Sequence, residues 1–138
     1  MEITVNFEYV NWIAVLVATV ATFVLGGIWY APKVFGYAWA RENGFEFDKM
    51  KERNMPLVFF TAFLAQWLTA SLFAAVIGPN AEPGYAVTVG LLVGSFFVTT
   101  SIAINYIFEN RSVKLLLING GYHIVAFAIM GAIIANMQ

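Results

Sequence analysis

Residues 12–30, WIAVLVATVATFVLGGIWY, decide the fold. The stretch runs for 19 residues without a charge. About 20 apolar residues in a helix, at roughly 1.5 Å per residue, cross the roughly 30 Å hydrocarbon core of a bilayer. Trp12 stands at one end and Trp29 and Tyr30 at the other, where amphipathic rings settle at headgroup level. A cleaved signal peptide fits poorly, because no basic residue precedes the stretch and it is too long for the apolar core of one. It reads as a retained transmembrane helix.

Three further stretches pass the same test: 57–77, 86–108 and 115–135. The first is entered through Pro56 and left through Gly78 and Pro79. The second is bounded by the Pro83 and Gly84 turn and by Glu109, Asn110 and Arg111, and the third ends three residues before the last one. Composition agrees: 61% of the 138 residues are hydrophobic and 11% charged, against about 25% charged in soluble domains. The mean hydropathy is +0.78. The expected fold is therefore all-α, a single domain of four transmembrane helices with a loop at 31–56. With no Cys in the chain, disulfides, thiolate metal sites and Cys nucleophiles are excluded. A net charge of -1 without a basic patch gives no reason to expect a nucleic-acid partner.

All seven cations lie in two connections: Lys33, Arg41, Lys49, Lys51 and Arg53 between spans one and two, and Arg111 and Lys114 between spans three and four. Since Lys and Arg are retained on the cytoplasmic side, both termini are expected outside. In residues 2–9, Ile3, Val5, Phe7 and Tyr9 alternate with Glu2, Thr4, Asn6 and Glu8, a period of two that suits a half-buried strand or a tail resting on the membrane. In the long loop, Phe35 and Trp39 at i, i+4 predict an interfacial helical turn ending near Asn43 and Gly44, and Asp48 is placed to cap a short charged helix leading to Pro56.

In lipid, helices associate through small residues and a few hydrogen bonds. Ala14, Ala18, Thr22 and Gly26 form such a stripe, as do Ala62, Gln66, Ala70 and Ala74, and Ala86, Gly90 and Gly94; span four adds Gly120, Gly121, Gly131, Ala132 and Ala135. The number of small faces favours a homo-oligomer.

No Asp, Glu, Lys or Arg falls inside any span, which argues against proton relays and ion-coupled transport. The polar residues that remain are His123 with Asn119 one turn before it, Gln66, Asn105 and the run Thr99, Thr100, Ser101. Counted from the basic boundary, His123 lies about 13 Å deep, Ser101 and Thr22 about 12 Å and Gln66 about 15 Å. Asn105 and Asn119 lie at about 6 to 8 Å. Facing inward, they would form a polar column with Tyr106, Glu109 and Arg111 at its mouth, and His123, Asn119, Gln66, Ser101, Asn105, Glu109 and Arg111 are the candidate ligand-binding residues. The plain alternative is that these groups bond helices to one another. One His without carboxylates or thiols is too few ligands for a metal, and a lone imidazole is a poor acid/base set; neither a metal, a cofactor nor catalysis is expected.

Gly26-Gly27-Ile28-Trp29-Tyr30-Ala31-Pro32, then Phe35-Gly36 and Trp39, resembles the signature of a bacterial four-helix membrane family, domain of unknown function 1761. Asn105-Tyr106-x-Phe108-Glu109-x-Arg111, Leu117-Ile118-Asn119-Gly120-Gly121-Tyr122-His123 and Met130-Gly131-Ala132 are similar to its third and fourth spans. Pro56 departs from the pattern. The resemblance implies a bacterial cytoplasmic membrane and marks Trp29, Tyr30, Pro32, Phe35, Gly36, Trp39, Glu109, Asn119, Tyr122 and His123 as signature positions; it implies no activity. Physically, Pro32 would stop the first helix, Gly36 would let the loop turn close to it, and the aromatics would anchor both at the boundary. Two functions compete: a homo-oligomeric channel or uncoupled carrier for a small solute, and a structural or accessory protein that binds lipid or a partner membrane complex.

Overall fold

A computed structural model describes residues 4–138. Its four long helices are apolar enough to cross a membrane: α1 (Trp12–Trp29), α3 (Met55–Ile77), a third span made of α4 (Pro83–Leu92), a π-helical segment (Val93–Thr99) and α5 (Thr100–Phe108), and α6 (Val113–Met137). Among the described residues there is no strand. Of the alternating N-terminal segment, Glu2 and Ile3 lie outside the described residues, and 4–10 are irregular with a turn at Glu8 and Tyr9, Val5, Phe7 and Tyr9 being about half exposed. A period of two needs a partner strand to satisfy its backbone, and none is present among the described residues; residues 4–10 are held by Asn6 N–H donating to the Ala75 carbonyl at 3.4 Å and by buried Val10.

Each helix begins and ends for a local reason. The Asn11 side chain accepts from the Ile13 and Ala14 N–H groups and starts α1, satisfying donors that a helix N-terminus leaves open. Pro32 follows its end and opens a π turn, Pro32–Gly36, that passes into α2 (Tyr37–Asn43). Gly36 is required there, because a Cβ would overlap the Tyr30 carbonyl oxygen. Gly44 closes α2 in the left-handed conformation, φ 79°, as expected of a helix C-terminus. The charged helix after it is a 3-10 turn, Phe47–Glu52, with Glu46 rather than Asp48 at its N-cap position and no side-chain cap. Asn54 caps α3 instead, and Pro56 occupies its first turn, where a missing N–H costs nothing. Pro83 likewise begins α4 rather than lying in a turn outside it, so the third span starts three residues earlier than its apolar run.

α6 is the central helix. The third span packs along one side of it, α1 along the other, and α3 leans on α1. The α6 contact with the third span is made backbone to backbone: a Cβ at Gly90 would overlap the Phe127 carbonyl, one at Gly94 the Ile124 Cα, and one at Gly131 the Ala86 carbonyl. Ala14, Ala18 and Thr22 of α1 are fully buried. The small-residue faces are thus occupied within one chain, with Ala62 of α3 left exposed. α3 keeps away from the third span, joined to the core through Ala70, Phe73 and Ala74, with Phe73 edge-on to Phe127 at 5.7 Å.

The end opposite the cations is closed by Gln138. Its side-chain amide donates to the Ala74 and Gly78 carbonyls at 3.0 and 2.9 Å and its oxygen accepts from Asn11 N–H at 3.1 Å, joining α3, α6 and the start of α1. Gln138→Ala removes all three; at about 1 kcal/mol net for each bond, thermal unfolding in detergent should register a loss of about 2 to 3 kcal/mol.

Candidate functional site

The end of the bundle that carries all the Lys and Arg holds one connected cluster. It begins where α1 stops. Trp29 turns its indole N–H onto the Ile118 carbonyl of α6 at 2.9 Å, and its ring lies over Gly121, where a Cβ would approach within 3.1 Å. Tyr30 donates to the Asn119 carboxamide oxygen at 2.7 Å, and the same carboxamide donates to the Tyr106 hydroxyl at 2.6 Å. Asn119 therefore ties α1, α5 and α6 together through one side chain. One turn on, Tyr122 donates to the Thr22 carbonyl at 3.1 Å and meets Tyr30 in a tilted ring contact at 5.6 Å, with Gly26 beside its ring.

The loop is drawn onto this cluster by aromatic contact. Phe35 meets Trp29 at 4.9 Å, Trp39 meets Tyr30 at 5.5 Å, and Phe45 meets Trp39 at 5.1 Å. Arg111 reaches across to the Asn43 oxygen at 2.8 Å and pairs with Glu109 at 3.3 Å. With 38% and 54% of the side chains exposed, that pair sits on the rim, where screening leaves an ion pair worth little. Of the motif expected at the boundary, the aromatics Trp29, Tyr30, Phe35 and Trp39 meet α6 or each other, Pro32 follows the end of α1, and Gly36 lies close against Tyr30 and Ala31. Tyr30 and Trp29 bond inward, because each ring's polar atom finds a partner on α6.

The polar column expected from the spacing is not assembled. Thr22 is fully buried and bonds back to the Ala18 and Thr19 carbonyls at 3.0 Å. Gln66 reaches only the Met130 sulfur, at 3.6 Å. Ser101 and Asn105 are exposed, Ser101 returning its hydroxyl to the Phe97 carbonyl. Asn105 has no side-chain hydrogen bond among the described residues, so it does not meet Asn119; Tyr106 does. The π-helical segment is the cause. A π turn holds one residue more than an α turn, and here Thr99 bonds to the Gly94 carbonyl five residues back and touches Gly120 of α6 at 3.3 Å. In an unbroken helix the face of Ala86, Gly90 and Gly94 would continue through Ser101 and Asn105. The extra residue passes that face to Thr99 and Tyr106.

His123 is half-buried, edge-on to Tyr122 at 5.1 Å, and makes no side-chain hydrogen bond among the described residues. Among the described residues no three His, Asp or Glu side chains lie together as a metal site would require. On α6, Asn119, His123 and Phe127 follow one another at i, i+4. Phe127 forms part of an apolar groove of about 420 Å³ between α3 and the third span, lined also by Thr69, Phe73 and Val76 and by Val89, Val93 and Phe97. No sequence signal points to this groove, because it arises from two helices that do not pack.

The family described as "Protein of unknown function (DUF1761)" matches residues 13–135. No curated protein and no solved structure matches the chain.

Proposed function

Because the chain belongs to the DUF1761 family, whose description assigns no activity, we propose from the geometry that it is a lipid-binding membrane protein with no catalytic role of its own. The observation that carries this reading is the groove: about 420 Å³, walled almost wholly by apolar side chains, and left open because α3 and the third span diverge. In a bilayer such a space is at the level of the acyl chains, and a concave apolar site of this size suits a hydrocarbon ligand. We place the basic end of the bundle in the cytoplasm of a bacterial cell and both termini outside, on the distribution of Lys and Arg.

The channel or carrier reading loses its motive within one copy, since Ser101 and Asn105 face outward and Thr22 is bonded to its own helix. The homo-oligomer loses the free small-residue faces that favoured it.

Native mass spectrometry of the purified protein should show retained lipid that survives detergent exchange, and Thr69→Trp, which fills the groove, should remove it. Absence of retained lipid, or retention unchanged by Thr69→Trp, contradicts the reading. Solute flux through reconstituted vesicles above the protein-free level would restore the channel.

A further inference from the structure

The walls of the groove change character toward the basic end. On α6, Phe127 is followed one turn away by His123; on the third span, Phe97 is followed by Ser101 and Asn105; on α3, Thr69 is preceded by Gln66. The first half of α3 is largely exposed and is held mainly by α1, through Phe59 and Phe63 against Phe23, without packing on the third span. Gln66 and Ser101 have partners, whereas His123 and Asn105 have none among the described residues. An imidazole and a carboxamide without partners are costly at membrane depth, and a ligand that brings acceptors removes the cost.

The three walls also carry no charge: α3, the third span and α6 beyond Lys114 contain no Asp, Glu, Lys or Arg. A phosphate or carboxylate placed here would be an uncompensated ion in a low-dielectric region. The head that fits is neutral and accepts hydrogen bonds. The groove, near the lower end of the roughly 300 to 1,000 Å³ range of ligand sites, holds one hydrocarbon tail more readily than two.

We propose that this cleft binds an isoprenoid quinone, its single tail against Phe73, Phe97 and Phe127 and its two carbonyl oxygens toward His123 and Asn105. The proposal rests on the lipid-binding reading and names its ligand class. It concerns binding alone.

The test uses the whole protein in phosphatidylcholine nanodiscs titrated with a short-tailed ubiquinone, read by quenching of tryptophan fluorescence. Quenching should saturate, beyond the linear partition seen with free tryptophan in empty discs. His123→Leu and exposed Asn105→Leu should each weaken binding roughly tenfold, the effect of one lost hydrogen bond at about 1.4 kcal/mol, and His123→Gln should restore part of it. Unchanged thermal unfolding of Asn105→Leu without quinone keeps the result readable if His123→Leu misfolds. Equal affinity in the variants, unsaturable quenching, or equal displacement by diacylglycerol or phosphatidylglycerol overturns the quinone. Retained phospholipid with no quinone binding leaves the lipid-binding reading standing, whereas loss of both ends it too. Since the chain has no Cys, Asn105→Cys carries a single thiol; rapid disulfide cross-linking in membranes would put a second copy in the cleft and overturn the ligand.

Discussion

Gly90→Leu should separate α4 from α6. Any Cβ at residue 90 overlaps the Phe127 carbonyl carbon and oxygen, and backbone atoms cannot swing aside as a side chain does. The helices must move apart, and because Gly94 and Gly131 share the same line of contact, the separation spreads along the span. Overpacking usually costs about 1 to 3 kcal/mol; with a backbone on the other side, about 3 kcal/mol or more is expected. Thermal unfolding in detergent measures it. Gly27→Leu is the control, since a Cβ there meets nothing within 4 Å, and it should stay within about 0.5 kcal/mol, as outward-facing substitutions usually do.

The second large effect is expected at Asn119. Asn119→Leu removes the acceptor for Tyr30 and the donor to Tyr106 in one step, leaving two phenol hydroxyls unpaired in a partly buried, aromatic surrounding. An unsatisfied buried polar group costs about 1 to 3 kcal/mol, so a loss of about 3 kcal/mol is expected, with α5 and the end of α1 loosened together. Tyr106→Phe breaks only one of the two bonds and should cost about 1 kcal/mol. If the two variants unfold alike, Asn119 is not the shared partner. Hydrogen exchange at Tyr30 to Gly36 gives a second readout, since that turn is held to α6 through Tyr30 and Trp29.

Several local features were legible from residues alone because their causes are local. Pro32, Gly44 and the long uncharged runs act through backbone geometry and hydration, which need no knowledge of neighbours. The end of α2 at Asn43 and Gly44 follows from a glycine free to take positive φ. Other readings failed where a partner was needed. The alternation in residues 2–9 has the period of a strand, but among the described residues no second strand pairs with it, and Glu2 and Ile3 lie outside them. Asp48 has the chemistry of a cap, yet the turn begins at Phe47 with Glu46 at its N-cap position and stays 3-10. Ser101 and Asn105 had the right depth but the wrong azimuth.

The sequence by itself determined four apolar helices, their approximate ends, the gathering of cations at one end and the absence of charge within the spans, since each follows from side-chain transfer to hydrocarbon or from backbone preference. The tertiary structure alone decided which faces meet. The close approach of Gly90 and Gly94 to α6 and of Gly131 to α4, with the π turn at Val93–Thr99, together set the rotation of α5. That rotation brings Tyr106, not Asn105, to Asn119, and leaves Asn105 exposed and without a side-chain hydrogen bond among the described residues. A rotation of one residue changes neither composition nor depth, so only the packed helices carry it.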